Sequence, residues 1–413
     1  MPATPPSSNW VTPDSLDTGG NRSHEQIHAV LEAANFKYLQ EVALLSRKAR
    51  DENAPKGITC TINPKSFTCG MNNLVLKVAF SDNVYWIARV QHSPVDSSHA
   101  REHTLDMLSE IATMKTLHSR TSIPVPMVFD FDTSPSNEFG FPYILMECLN
   151  GQILDSTIAR QVPAEYLQHV ARQLAEVLFQ LENLTFDHLG RLWCGENCDE
   201  PPRIIPCEQG NEATTTPRTQ TSLEWFFELR QDENRRALET HADDPEWRTA
   251  CWILKTAISH FIIEDRLHGP FPLCHFDLHY GNLLFDDEYN LTGVIDWSQS
   301  ATAPLERLAV SPEFITFPAL PDEKNQIILD FREATRHCLQ ELVNRAQRSS
   351  PAVERKTTLS MILGSKQADI THRCTYSRPH RALWDGRLVS SLIYGANISW
   401  EQLVAVYGEV QLH

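Results

Sequence analysis

Between residues 24 and 50, apolar side chains recur at helical spacing: Ile27, Val30, Leu31, Ala34, Tyr38, Leu39, Val42 and Leu45. That stripe predicts an amphipathic helix packed on the segment that follows it. From residue 57 to 90 the pattern shortens to β-like runs at 58–67, 74–80 and 84–90. The turns Gly70-Met71-Asn72-Asn73 and Ser81-Asp82-Asn83 separate them. Helical spacing returns at 100–118, through Leu105, Leu108, Ile111, Met114 and Leu117. An apolar strand at 141–146 then runs out into Glu147-Cys148-Leu149-Asn150-Gly151.

The rest reads mainly as helix: 164–184, 223–227, 246–267, 323–347 and 380–409. Residues 188–220, rich in Pro, Gly and Thr, form a long irregular insertion. The first 23 residues, rich in Pro, Ser, Asp, Gly and Asn, are expected to lack fixed structure. Strands followed by helices make the chain α+β. Its expected parts are 1–23, a helical extension at 24–56, a strand-rich part at 57–149 and a mainly helical part at 150–413. No internal repeat is visible.

The 413 residues carry a formal net charge of −17. An acidic surface argues against nonspecific nucleic-acid binding, which needs Lys/Arg-rich patches. No apolar run approaches the ~20 residues of a membrane helix, and residues 1–8 lack the charged and apolar regions of a secretory signal. A soluble cytoplasmic protein is the expectation. The ten cysteines are scattered, as thiols of an intracellular chain would be. His188, Cys194, Cys198 and Cys207 offer four candidate zinc ligands, though not in a paired Cys pattern.

The densest chemistry lies in His275-Phe276-Asp277-Leu278-His279-Tyr280-Gly281-Asn282, followed by Leu283-Leu284-Phe285, a turn and Thr292-Gly293-Val294-Ile295-Asp296-Trp297. One tight loop points Asp277 and Asn282 toward a common centre, and a hairpin would return Asp296 to it. A carboxylate, an amide oxygen and a second carboxylate suit a hard cation such as magnesium. A carboxylate also orients a hydroxyl nucleophile in phosphoryl transfer.

This order and spacing resemble the catalytic loop and metal-binding Asp of the protein-kinase-like fold. Protein kinases usually carry Arg before the catalytic Asp, Lys two residues after it, and Asp-Phe-Gly as the second motif. Here Phe276, His279 and Ile295-Asp296-Trp297 stand in those places. Those departures look like the aminoglycoside phosphotransferase and choline kinase-like family, whose members phosphorylate small molecules. The segments Ser122-Ile123-Pro124-Val125-Pro126 and Gly269-Pro270-Phe271-Pro272-Leu273-Cys274-His275 are similar to those of fungal members.

The resemblance implies a bilobal fold, with a small antiparallel-sheet N-lobe and a larger, mainly helical C-lobe. It also implies ATP and Mg2+ as cofactors and a small-molecule hydroxyl as acceptor. Asp277 would be the catalytic carboxylate. His279 is either a donor to the transferred phosphate or a structural loop histidine. Asn282 and Asp296 would hold magnesium. Gly70 would mark the phosphate-covering turn, and Arg89 would contact phosphate with Glu110 as its acidic partner, Glu102 being the alternative. Backbone groups of Glu147 and Leu149 would bind adenine. Glu306 is a candidate for a cationic substrate or a salt bridge. A nucleotide-binding pseudokinase and a protein kinase are the competing readings.

Overall fold

The computed structural model describes residues 10–17, 21–51, 54–92, 100–206, 220–312, 322–349 and 356–410. The chain is α+β and forms two compact units. The first comprises Met1–Asp155, Leu192–Arg203 and Gly281–Gln299, and the second Ser156–Arg191, Ile204–Tyr280 and Ser300–His413. The hairpin at 281–299, read from sequence as part of 150–413, therefore belongs with the first unit. Its backbone explains why: Gln152 and Phe285 exchange hydrogen bonds of 2.8 and 2.9 Å, and Val294 N–H donates to Pro124 at 2.8 Å.

The first unit is built on five antiparallel strands: β1 (Cys60–Cys69), β2 (Asn73–Phe80), β3 (Tyr85–Gln91), β4 (Val128–Asp132) and β5 (Tyr143–Glu147). Their spatial order is β1-β2-β3-β5-β4. Alternation along β2 and β3 buries Leu74, Leu76, Val78, Phe80, Trp86, Ala88 and Val90 on one face. The same alternation turns Asn73, Val75, Ile87 and Arg89 to the other.

Two helices, α1 (Arg22–Ala33) and α2 (Phe36–Arg50), contribute Ile27, Val30, Leu39 and Ala43 to that core. The single stripe at 24–50 is thus broken in two. Asn35 caps the second helix by accepting from Tyr38 N–H at 3.2 Å, as Asn21 caps the first through His24 N–H at 3.3 Å. The stretch read as lacking fixed structure also holds order: Pro13–Ser15 form a short 3-10 turn. Val11 exchanges backbone bonds of 2.7 and 3.1 Å with Phe67. Residues 1–9 and 18–20 lie outside the described part.

Helix α3 (Ala100–Arg120) buries Leu108, Ile111, Met114 and Leu117. The hairpin pairs Leu283–Phe285 with Leu291–Val294, setting Leu283 against Val294 and Leu284 against Gly293. Gly151 comes so close to it that a Cβ would stand 2.4 Å from Thr292 Oγ1 and 2.8 Å from the Phe285 carbonyl. Its φ of 106° also favours glycine.

The second unit is mainly helical. Ala164–Asn183 buries Val170, Leu174, Val177, Leu178 and Leu181. Ser222–His241 and Pro245–Thr256 share a core with Phe261, Ile370, Ala382, Val389 and Leu403. The helix Lys366–Tyr376, absent from the sequence reading, is capped by Ser365, which accepts from Ala368 N–H. A small sheet sets Phe271–His275 between Ser300–Thr302 and Thr185–Phe186. No helix among the described residues is long and apolar enough to cross a membrane.

Candidate active site

Arg89 projects from the less buried face of β3, and three partners surround its guanidinium. Nη1 donates to Glu110 Oε1 of α3, and Nη2 donates to Asp296 Oδ1 at 3.1 Å. Turned with its oxygen toward the guanidinium, the Asn73 amide accepts from Nη2 at 2.7 Å and from Nε at 3.2 Å. Arg89 and Glu110 are nearly enclosed, at 12% and 6% side-chain exposure, whereas Asp296 is 41% exposed. Burial opposes charge on Arg89, but Glu110 and Asp296 outweigh it and hold the guanidinium above its ordinary pKa. Burial pushes the Glu110 carboxyl up, against the pull of Arg89. The Arg89–Glu110 pairing expected from sequence is present, and Glu102 is exposed in the first turn of the helix.

Asp296 leaves the hairpin in the left-handed region, with φ 60°. Few L-residues adopt this conformation, but Asp is among those that tolerate it. Ser298 Oγ donates to Asp296 Oδ1 at 2.8 Å. Fully buried Trp297 anchors the next position through Nε1–H to the Val294 carbonyl at 2.9 Å. Asn282 ends the 3-10 turn Tyr280–Asn282, and its carbonyl accepts from Ile295 N–H at 3.0 Å. One backbone bond therefore ties the neighbour of Asp296 to Asn282. An Asn amide oxygen and an Asp carboxylate are hard donors that fit magnesium.

Asp277 and His279 belong to the second unit. The Asp277 side chain is 57% exposed, and His279 Nε2 stands 3.7 Å from its Oδ2. Buried His275 accepts from Asp277 N–H through Nδ1 at 3.2 Å, which assigns its ring proton to Nε2. Ser311 Oγ donates to the His275 carbonyl. The Arg307 guanidinium lies 4.6 Å from the Phe276 ring centre and 4.8 Å from that of Tyr376, whose hydroxyl accepts from Nη1 at 2.8 Å. Ser311 and Arg307 thus grip the two residues that precede Asp277. Sequence gave no sign of Arg307, because an Arg in a short helix ordinarily faces solvent.

The turn at Gly70 is closed by its own N–H, which donates to the Asn73 carbonyl at 2.9 Å. A Cβ at Gly70 would meet open space, so packing does not require glycine there. Glu147 ends β5, where its N–H donates to Met127 O at 2.8 Å and its Oε2 accepts from Met127 N–H at 3.2 Å. Leu149 is half-buried two residues on.

Glu306 fits neither of its sequence readings. It is almost wholly buried, with Oε1 accepting from Ile263 N–H at 2.7 Å, and burial pushes its carboxyl up to about 7. In the insertion, Cys194 and Cys198 are buried thiols, and Cys198 Sγ donates to Leu108 O at 3.6 Å. Cys207 lies outside the described residues, among which no group of three or more His, Cys, Asp or Glu could hold a metal.

Comparison with known proteins places these residues in a family. Residues 72–340 match the phosphotransferase enzyme family. A subtelomeric hrmA-associated cluster protein of Aspergillus fumigatus is 32% identical over 91 residues, 22% of this chain. The match spans only 18% of that relative's length. Among solved structures, Plasmodium vivax ethanolamine kinase covers 95% of this chain and 94% of its own, at 13% identity and a TM-score of 0.45. Brachybacterium faecium macrolide 2'-phosphotransferase covers 90% and 99%, at 16% identity and a TM-score of 0.44. The chain belongs to the phosphotransferase enzyme family.

Proposed function

We propose that this protein is an ATP- and magnesium-dependent phosphotransferase acting on a hydroxyl of a small molecule, in the cytoplasm. The observation that carries the reading is the Arg89 cluster: one guanidinium drawn between a buried carboxylate and the carboxylate that follows the hairpin. An enclosed cation beside an exposed carboxylate is the pair needed to grip phosphate oxygens and their counter-ion. Asn282 and Asp296 would hold magnesium, which supplies charge that neutralises the phosphates. Arg89 presents its positive charge to the phosphate oxygens while Glu110 keeps it in place. Backbone groups of Glu147 and Leu149 receive adenine, and the Gly70 turn covers the phosphates. Asp277 accepts a hydrogen bond from the acceptor hydroxyl, aligns its oxygen, and takes the proton late in transfer. His279 donates to the transferred group.

The test is calorimetry with ATP, with and without magnesium, followed by incubation with a metabolite panel read by a mass increase of one phosphate. Magnesium-dependent binding and a phosphorylated alcohol are expected. Binding without turnover of any alcohol would favour the pseudokinase reading, and transfer confined to a protein substrate would favour a protein kinase.

A further inference from the structure

Asn73 opens β2 and works at both ends. Its backbone carbonyl closes the Gly70 turn by accepting from Gly70 N–H at 2.9 Å. With its amide oxygen turned toward Arg89, the side chain takes two N–H groups from one edge of the guanidinium, Nη2 and Nε. Register is the cause. Asn73 stands opposite Gln91, and Val75 opposite Arg89, so Asn73 and Arg89 are diagonal neighbours on the less buried face of the sheet. The turn is also pinned to the end of β3, where His92 N–H donates to Asn72 O at 3.1 Å and His92 Nε2 lies 3.3 Å from Gly70 O.

We propose that Asn73 is a positioning residue for nucleotide binding: it fixes the plane of the Arg89 guanidinium and couples it to the 70–73 turn. This rests on the reading of Arg89 as a phosphate contact. Glu110 and Asp296 attract the guanidinium by charge, and each single contact leaves it free to pivot. An acceptor shared by Nε and Nη2 stops rotation about the terminal torsion. A neutral amide does so without adding negative charge where phosphate must bind. A carboxylate of the same shape would keep the brace and repel the ligand.

The experiment uses the full chain and two readouts: solvent exchange of the Arg89 Nε–H proton by NMR, assigned through its loss in Arg89→Lys, and calorimetric affinity for magnesium-ATP. In Asn73→Ala, exchange should speed up and affinity fall about tenfold, the equivalent of one charge-assisted hydrogen bond. In Asn73→Asp, the Nε–H should stay protected while affinity still falls. A thermal melt checks that both variants fold. The proposal is overturned if Asn73→Ala leaves exchange unchanged, or speeds exchange without loss of affinity. If the wild type itself does not bind magnesium-ATP, the proposed function fails along with the nucleotide role of Asn73, whereas a defect confined to the variant concerns Asn73 alone.

Discussion

In the first unit, Glu110 and Asp296 meet a single guanidinium that is itself nearly enclosed. In the second, Asp277 is more than half exposed and is placed by its backbone, through His275, Ser311 and the Phe276–Arg307 stack. One carboxylate system is held by charge, the other by the shape of the loop beneath it. A group that grips a charged ligand benefits from fixed counter-charges. Under the proposed function, a group that meets an acceptor hydroxyl needs a rigid base and an open face. Charge errors should therefore damage the first region and geometric errors the second.

The largest expected effect is on chemistry. Asp277→Asn keeps the size and exposure of the side chain, so fold and ATP binding should survive, while transfer to an identified acceptor falls by about 10² to 10⁴. Turnover at saturating ATP and magnesium measures this, and near-normal turnover would remove Asp277 from its assigned role.

Next comes the charged cluster. Arg89→Ala leaves Glu110 buried without its partner and should cost about 3–5 kcal/mol of stability by denaturant unfolding. Arg89→Met combined with Glu110→Leu should recover most of that stability but not the affinity for ATP. Recovery of both would show that the pair only supports the fold.

A smaller effect is expected at Arg307. Arg307→Gln removes the cation held between two rings, with a loss of about 2 kcal/mol if the stack is fully desolvated. If the stack sets the angle of Asp277, kcat should fall while the KM for ATP stays put. Equal changes in both would contradict the contrast drawn above.

The sequence made these polar residues legible because each interrupts an apolar pattern. Arg89 breaks a strand, Glu110 sits on a helix stripe, and Asp277, Asn282 and Asp296 punctuate a hairpin. Residues that act through contacts set by the fold left no such trace. Asn73 reads as a turn residue, and its grip on Arg89 follows from a register that only strand pairing defines. Arg307 gains its role from rings 31 and 69 positions away, at Phe276 and Tyr376. The break between α1 and α2 had a signal in Asn35, a favoured N-cap, but the apolar stripe ran through it and dominated the reading.

The smallest expected effect concerns pH. Glu306 has its carboxyl raised from 4.5 to about 7 by burial. Its contribution to stability is complete below 4.5 and is lost as pH rises through 7. Glu306→Gln, which can still accept from Ile263 N–H, should flatten this decline. Melting temperatures at pH 5 and pH 8 should differ less in the variant than in the wild type.

The pairing of Val11 with Phe67 has a consequence for handling the protein. β1 is an edge of the five-stranded sheet, and an uncovered edge recruits other chains. The two Val11 bonds blunt that edge near its C-terminal end. A chain shortened to begin at Asn21 would keep both helices and the buried core residues, losing Leu16 from the margin of the core, yet offer Phe67 N–H and C=O to its neighbours. Light scattering at rising concentration should then show self-association that the full chain resists.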